Sequence, residues 1–233
     1  MRLFIQVLLF ILPWCIRRRI LNMMGHQIAP TAHIGISILL CHRLVMRENS
    51  IIGHLTFVKG IDRLELDKNS KIGALNFITG YSVALKSFFK NIDNRNCELI
   101  IGESSSITSR HFFDVNGGIY IGKFTQIAGI RSTFLTHSID VDKNIQTVAP
   151  IRIGNYCFCG SNIVVLKGIT IKDYTVIGAG SIVSRPIEYG SAVVAGNPAV
   201  IKKELIVDDV KFFNRTHAKV CLLYTSPSPR DRG

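Results

Sequence analysis

The stretch that decides the fold is Ile153-Gly-Asn-Tyr-Cys-Phe-Cys159-Gly-Ser-Asn-Ile-Val-Val165-Leu-Lys-Gly-Ile-Thr-Ile171-Lys-Asp-Tyr-Thr-Val-Ile177-Gly-Ala-Gly-Ser-Ile-Val183. Apolar side chains return at Ile153, Cys159, Val165, Ile171, Ile177 and Val183, a period of six without a miss. Gly154, Gly160 and Gly178 each follow one of these anchors directly. Four residues after each anchor stand Cys157, Ile163, Ile169, Thr175, Ser181 and Ile187, all small or apolar. A period of six suits neither a helix at about 3.6 nor a strand at about 2. It suits a short strand followed by a corner, with one side chain per unit pointing inward and a small residue turning the corner. Three such units close a triangular coil of about 18 residues, and stacked coils bury a continuous ladder of apolar side chains.

Working outward, a second series reads Ile101, Ile107, Phe113 and then, after a slip of two residues, Ile121, Ile127 and Thr133. Fainter units begin at Ile28-Ala29, Ile34-Gly35, Ile52-Gly53 and Ile72-Gly73. Asp62–Ser70 and Lys86–Glu98 are polar and are expected to loop out of the repeat. The series also stops at Phe134-Leu-Thr-His-Ser-Ile-Asp140, where a polar loop begins before Ile151. Loops held by a rigid scaffold are where reactive groups are commonly placed, which singles out His137 among the seven histidines.

Composition narrows the function classes. Of 233 residues, 47% are hydrophobic and 19% charged, which excludes wholesale disorder. The net charge of +12 asks for an anionic partner: a nucleic acid, an acidic membrane surface or a phosphate-bearing cofactor. Nucleic acid fits least, because the cations do not interleave with aromatic residues along one stretch. No CxxC pair occurs among the six cysteines, and Cys157-Phe-Cys159 is too tight for a zinc knuckle. They read as reduced, mostly buried thiols of a cytoplasmic protein.

The two ends stand apart from the repeat. Cys221–Gly233 resembles the in-frame translation of a sequencing-library adapter, so 221–233 is expected to be a non-native tail and 205–220 a truncated C-terminal extension. Residues 1–27 form an apolar and basic segment in which Leu3 to Ile16 is followed by Arg17-Arg18-Arg19. Fourteen helical residues reach about 21 Å, short of a hydrocarbon core of about 30 Å, and Pro13 interrupts the run. Two readings stay open. Residues 3–19 form an interfacial anchor whose arginines meet anionic headgroups at the inner face of the cell membrane, or the helix caps the core or packs in an oligomer.

The pieces Ile177-Gly-Ala-Gly-Ser-Ile-Val183 and Val194-Ala-Gly-Asn-Pro-Ala-Val200 carry a resemblance. They make residues 22–204 resemble the hexapeptide-repeat acyltransferases, among them galactoside, serine-type and polysaccharide O-acetyltransferases. That resemblance implies an all-β, left-handed parallel β-helix over residues 28–204, assembled as a homotrimer with active sites between subunits. It implies acetyl-CoA as donor, a sugar hydroxyl as acceptor, direct transfer without an acyl-enzyme, and no metal. His137 falls on the family's general base; imidazole, with a pKa near 6.5, suits removal of a hydroxyl proton at neutral pH. Asp140, three residues on, is the candidate to orient the ring. By the same resemblance Ser161 supplies a backbone N–H to the thioester oxygen, and Ala179, one coil later, lines the pantetheine groove with it. Ser184 and Arg185 fall where the family contacts the cofactor and Lys203 near its 3′-phosphate. Val200 stands where some relatives carry arginine, which shifts weight to Lys202 and Lys203.

The acceptor is less legible. Its side chains are expected from loops such as Arg110–Gly118 and Ser138–Ala149. Asn116 is a candidate contact, although a turn at Asn116-Gly117-Gly118 explains it as well. An anchored N-terminus suggests a lipid-linked precursor of surface polysaccharide or glycolipid. Two other readings remain: a zinc enzyme resembling the gamma-class carbonic anhydrases, for which only His111 and His137 lie near one another, and a non-catalytic β-helix scaffold.

Overall fold

The period of six becomes three parallel sheets wrapped into a prism, which the computed structural model describes for residues 6, 7, 9–85, 89, 92 and 94–218. The expected non-native tail lies outside the described residues. Sheet A holds seven strands from Gln27–Ile28 to Thr170–Ile171, and sheet C seven from Ile38–Leu40 to Ile182–Val183. Sheet B holds nine: eight parallel strands from His33–Ile34 to Ala192–Ala195, and Val200–Glu204 antiparallel at its end. The chain visits A, B and C in turn, so each strand pairs with its equivalent one coil away, as Phe158–Cys159 does with Val176–Ile177.

The ladder that the repeat demands is the core. Ile153, Cys159, Val165, Ile171, Ile177 and Val183 are each no more than 3% exposed, and the positions four residues on are buried too. Where those positions are polar, their side chains bond corner carbonyls: Thr175 Oγ1 donates to Lys172 O at 2.7 Å and Ser181 Oγ to Gly178 O at 2.6 Å. Burial pushes the Cys157 thiol up to about 12 and that of Cys159 well above its ordinary value, so both are protonated packing groups.

Corners are turned by left-handed residues. At the A-to-B edge these include Phe124, Tyr156 and Tyr174, with φ of 54°, 54° and 60°, and each N–H bonds a carbonyl of the coil before. The strain of these conformations is offset by stacking, with ring centroids 4.9 and 5.5 Å apart along the column. The C-terminal extension closes over it: Phe213 packs on Tyr174 at 5.4 Å, and the Arg215 guanidinium lies 3.8 Å from the Phe212 ring.

Two expectations about the repeat need correction. Asp62–Ser70 does not loop out. Its Arg-Leu-Glu-Leu core is the strand Arg63–Leu66 of sheet A, with Leu64 and Leu66 at 0% exposure and Glu65 turned outward between Arg47 and Arg63. Thr133 is not the inward rung; Phe134 is, because the corner at Ala128–Arg131 carries one extra residue with left-handed Gly129 and Arg131. Of the second polar stretch, the described residues before Glu98 belong to no strand, and Glu98 opens the next sheet-A strand, Glu98–Ile101. The described residues of 81–97 and a hairpin over 137–148 both fall between a sheet-C strand and the next sheet-A strand, at the C-to-A edge.

At the N-terminus the contacts describe a cap. Helix α1 (Trp14–Met23) and the residues before it lie across the first coil, with Leu9 and Leu21 joining the core. Their polar groups take up backbone partners that no preceding coil supplies. Trp14 Nε1–H donates to Ala32 O at 3.0 Å, the Gln6 amide bonds both N–H and C=O of Leu39, and Asn22 does the same for Ile28. Arg17, expected at lipid headgroups, is 8% exposed and donates to Ile34 O and Gly35 O; Arg18 donates to Ile28 O at 3.2 Å. The anchor reading gains no support from this arrangement. No helix among the described residues is long and apolar enough to cross a membrane.

Candidate active site

His137 opens the first arm of the hairpin, His137–Asp140, which pairs antiparallel with Ile145–Val148 as it leaves the C-to-A edge. Asp114 ends the sheet-C strand Phe112–Asp114 one coil earlier, in register with Leu135. The Asp114 carboxylate is buried and saturated with donors. Oδ2 accepts the N–H groups of Thr136 and His137, each at 3.1 Å, and is bonded to His137 Nδ1. Oδ1 accepts the N–H of Asn116 at 3.2 Å and its side-chain amide. Thr136 Oγ1 ties the same corner together, donating to Asp114 O at 2.8 Å and accepting from Gly117 N–H at 2.9 Å.

This network fixes the chemistry of the ring. A carboxylate acceptor at Nδ1 puts the proton on that nitrogen and leaves the Nε2 lone pair to accept another. The His137 side chain is 38% exposed, enough for Nε2 to meet a substrate. Its pKa is raised above the ordinary imidazole value, chiefly by the hydrogen bond to Asp114, against a downward push from burial and from Lys167. Phe89 meets the ring edge-on at 6.0 Å, and the Arg95 guanidinium lies 4.8 Å from the Phe89 ring. Arg95 in turn donates to Tyr81 O, Ser82 O and Asn116 O, tying the 81–97 segment to the corner under His137. Behind the hairpin, Lys167 Nζ bonds Thr147 Oγ1.

Asp140 does not meet His137. Three residues along an extended strand span about 10 Å and turn the side chain to the opposite face. Its carboxylate instead accepts Lys143 N–H at 3.2 Å and pairs with the Lys143 ammonium at 3.9 Å. Asn116 is 2% exposed and committed inward, its Oδ1 accepting Tyr81 N–H at 2.8 Å and its amide on Asp114. It supports the carboxylate and does not present itself to an acceptor. Asp114 is the residue that spacing missed, because its partner lies 23 positions on.

Ser161 and Ala179 stand at the other edge of sheet C, between B and C, and stack as their 18-residue spacing requires: Gly180 N–H donates to Ser161 O at 2.9 Å. No acceptor among the described residues takes the Ser161 N–H. The backbone is tight here. A Cβ on Gly129 would lie 1.7 Å from Ser161 Oγ, and one on Gly160 would lie 2.8 Å from Ala179 N. Ser184 and Arg185 are exposed and follow Ile182–Val183, across sheet C from Ala179; Lys202 and Lys203 are exposed on the antiparallel strand Val200–Glu204. One chain therefore gathers Ser161 with Ala179, and His137 with Asp114 and Asn116, but does not bring the two groups together.

His111 belongs to the core. It is 2% exposed, Nδ1 accepts Ser132 N–H at 3.1 Å, and Nε2 meets Thr108 Oγ1 at 2.9 Å; burial lowers its pKa to about 4. Both ring nitrogens are occupied, so His111 does not join His137 as a zinc ligand. No cluster of three His, Cys, Asp or Glu side chains able to hold a metal ion occurs among the described residues.

No family model matches the chain. It is 42% identical over 64 residues to the galactoside O-acetyltransferase of Escherichia coli (strain K12), covering 28% of this chain and 31% of that protein. It is 30% identical over 119 residues to the putative acetyltransferase YJL218W of Saccharomyces cerevisiae, covering 50% and 54%. The chain thus spans from under a third to about half of the length of these curated relatives. Among solved structures, the polysialic acid O-acetyltransferase OatWY aligns over 78% of this chain and 85% of its own with a TM-score of 0.57 at 18% identity, which shows the fold. The relatives and structural neighbours are hexapeptide-repeat acetyltransferases, and the architecture is the left-handed parallel β-helix.

Proposed function

We propose that the protein is an O-acetyltransferase that moves an acetyl group from acetyl-CoA to a sugar hydroxyl, with His137 as general base. The observation that carries this reading is the buried Asp114 carboxylate bonded to Nδ1, which reserves Nε2 for the substrate proton. As the hydroxyl oxygen attacks the thioester carbonyl, its proton passes to Nε2. The carbon–sulfur bond then breaks, and the imidazolium returns the proton to the departing CoA thiolate. The Ser161 N–H is the donor aimed at the oxyanion. Ala179, Ser184, Arg185 and Lys203 are assigned to acetyl-CoA, and the reading puts the reaction in surface polysaccharide or glycolipid synthesis in the cytoplasm.

This mechanism needs a second copy of the chain. From Asn162 to Lys167 the sheet runs about 16 Å, so Ser161 and His137 of one chain sit too far apart to share a thioester. The face between them is the apolar one. Phe57, Phe77 and Phe112 stack along the outside of sheet C at 5.2 and 5.8 Å, with Phe77 43% exposed, and Ile38, Val164 and Ile182 continue the face. The outside of sheet A carries Arg43, Arg63, Glu65, Glu98 and Arg152 instead. Packing sheet C against further copies in a homotrimer buries the stack and brings the Ser161 edge of one copy to the His137 edge of the next.

The test is acetyl transfer by His137→Ala, scored as the gain of an acetyl group on glycan by mass spectrometry. The expected result is a fall of at least ~100-fold with acetyl-CoA affinity retained. Near-normal turnover removes His137 from the mechanism. Calorimetry that detects no acetyl-CoA binding at all supports the scaffold reading.

A further inference from the structure

On the B-to-C edge the left-handed corner residues form a column: Leu55, Leu75, Arg110, Arg131, Asn162 and Gly180. Arg110 and Arg131 occupy successive coils, with φ of 63° and 62°, and Arg131 N–H donates to Arg110 O at 2.9 Å. Both are exposed. Neighbouring coils stand about 4.8 Å apart, and like charges directly opposite each other on adjacent strands repel. No carboxylate relieves this pair: neither guanidinium joins an ion pair or a hydrogen bond among the described residues. On sheet A, by contrast, Glu65 pairs with both Arg47 and Arg63.

Place along the edge gives the pair its meaning. The Ser161 N–H marks where the thioester carbonyl sits, and the donor arm continues toward Ala179, in the later coils. The acceptor must approach from the opposite side, since the donor fills the groove beyond Ser161. On that side the next corner is Gly129-Ile130-Arg131, pressed so closely on Ser161 that no side chain separates them. We propose that Arg110 and Arg131 form an anion subsite that binds an acidic group, carboxylate or phosphate, on the sugar acceptor. Two planar guanidinium forks on neighbouring rungs suit one oxyanion held between them. The acceptor class is thereby narrowed from any sugar hydroxyl to a hydroxyl on an acidic sugar. This assignment rests on the acetyltransferase reading and on the facing of the Ser161 edge toward a second copy's His137.

Methyl glucoside, methyl glucuronide and glucose 6-phosphate separate the cases by affinity, measured by titration of the full chain followed by NMR. The expected result is that at least one anionic sugar binds wild-type protein about tenfold or more tighter than the glucoside, with the stronger of the two naming the acidic group. In the Arg110→Ala/Arg131→Ala double variant that preference should fall below about twofold, with acetyl-CoA affinity and assembly mass unchanged. Equal binding of all three sugars by the wild type, or a preference that survives in the variant, overturns the subsite. Loss of acetyl-CoA binding in the variant reassigns the arginines to the donor's phosphates. A change in assembly mass reassigns them to contacts between copies. Either outcome overturns the proposal. Wild-type protein that binds no acetyl-CoA overturns the transferase reading itself, whereas missing charge preference beside intact acetyl-CoA binding overturns this subsite alone.

Discussion

At the C-to-A edge the chain breaks its repeat twice, for the 81–97 segment and for the hairpin of 137–148, and encloses a carboxylate that five donors satisfy. At the B-to-C edge it runs on with one extra residue at Ala128–Arg131 and exposes backbone and small side chains at Ser161 and Ala179. Two histidines at these edges follow the same division. His111, close to the B-to-C corner, is buried, has both nitrogens engaged and is pushed down to about 4, so it stays neutral. His137 gives only Nδ1 to Asp114, keeps its side chain 38% exposed and is pushed up by that hydrogen bond. In the proposed mechanism, proton transfer is prepared by side chains that a single chain preorganises, and donor binding is left to bare backbone that a stacked solenoid supplies for little. A repeat tolerates insertions where each coil closes, so the side-chain chemistry collects at the edge from which both insertions leave.

The sharpest way to break that division is Asp114→Asn. An amide in place of the carboxylate turns an N–H toward donors that now lack a partner and lets His137 take the other tautomer, with the proton on Nε2. Acetyl transfer is expected to fall on the order of 100-fold, while acetyl-CoA affinity changes little because Asp114 is buried behind the imidazole. The pH profile carries the diagnosis. The base must be neutral, so wild-type activity rises with pH through a pKa above the ordinary imidazole value, and the variant's inflection should move down. Stability follows the opposite sense. A raised folded pKa stabilises below the unfolded pKa of the histidine, and that contribution is lost as pH rises through the folded value; the variant should flatten this dependence. An unshifted inflection would detach Asp114 from the titrating group.

A smaller effect, of opposite character, is expected from Gly129→Ala. Its Cβ would meet Ser161 Oγ at 1.7 Å and Cα at 3.0 Å, and φ at this residue is +71°, so the corner must move away from Ser161. Acetyl-CoA affinity should weaken about tenfold with the pH inflection of His137 untouched, since about 1.4 kcal/mol is a modest displacement of a hydrogen-bonding groove. Calorimetry together with a pH–rate series reads both quantities. A shifted inflection would show that the Ser161 corner and the His137 network are coupled.

How much of this could be read from the chain alone follows the same line. The rungs from Ile153 to Val183 were legible because each obeys one rule, apolar inward at every sixth place, and burial confirms every one. Asp62–Ser70 was misread because a charged outward face hides a strand when only two leucines point inward. The Asp114–His137 pair was illegible for a related reason. Its spacing of 23 residues is one coil lengthened by the slip after Phe113 and by the extra corner residue before Phe134, which pair Asp114 with Leu135, plus the two further residues from Leu135 to His137. Had Phe134 been taken as the rung stacked on Phe113, Asp114 would have fallen beside Leu135 and the chain leading into His137. Register, not residue type, held the missing information.

The smallest expected effect tests that lesson directly. Asp140 is the acid nearest to His137 in sequence after it, and Asp114 the acid that touches it, so Asp140→Asn and Asp114→Asn set proximity along the chain against proximity in space. On an extended strand Asp140 faces away from the imidazole, and its carboxylate serves the hairpin turn through Lys143. An exposed ion pair of this kind contributes about 0–1 kcal/mol to stability and nothing to the protonation of a ring on the other face. Acetyl transfer by Asp140→Asn should stay within about twofold of wild type with the same pH inflection, because neither the Nδ1 partner nor the approach to Nε2 changes. A loss near that of Asp114→Asn would mean that the hairpin turns its other face to His137 when both substrates are bound. The preorganisation ascribed to the C-to-A edge would then belong to the complex and not to the free chain.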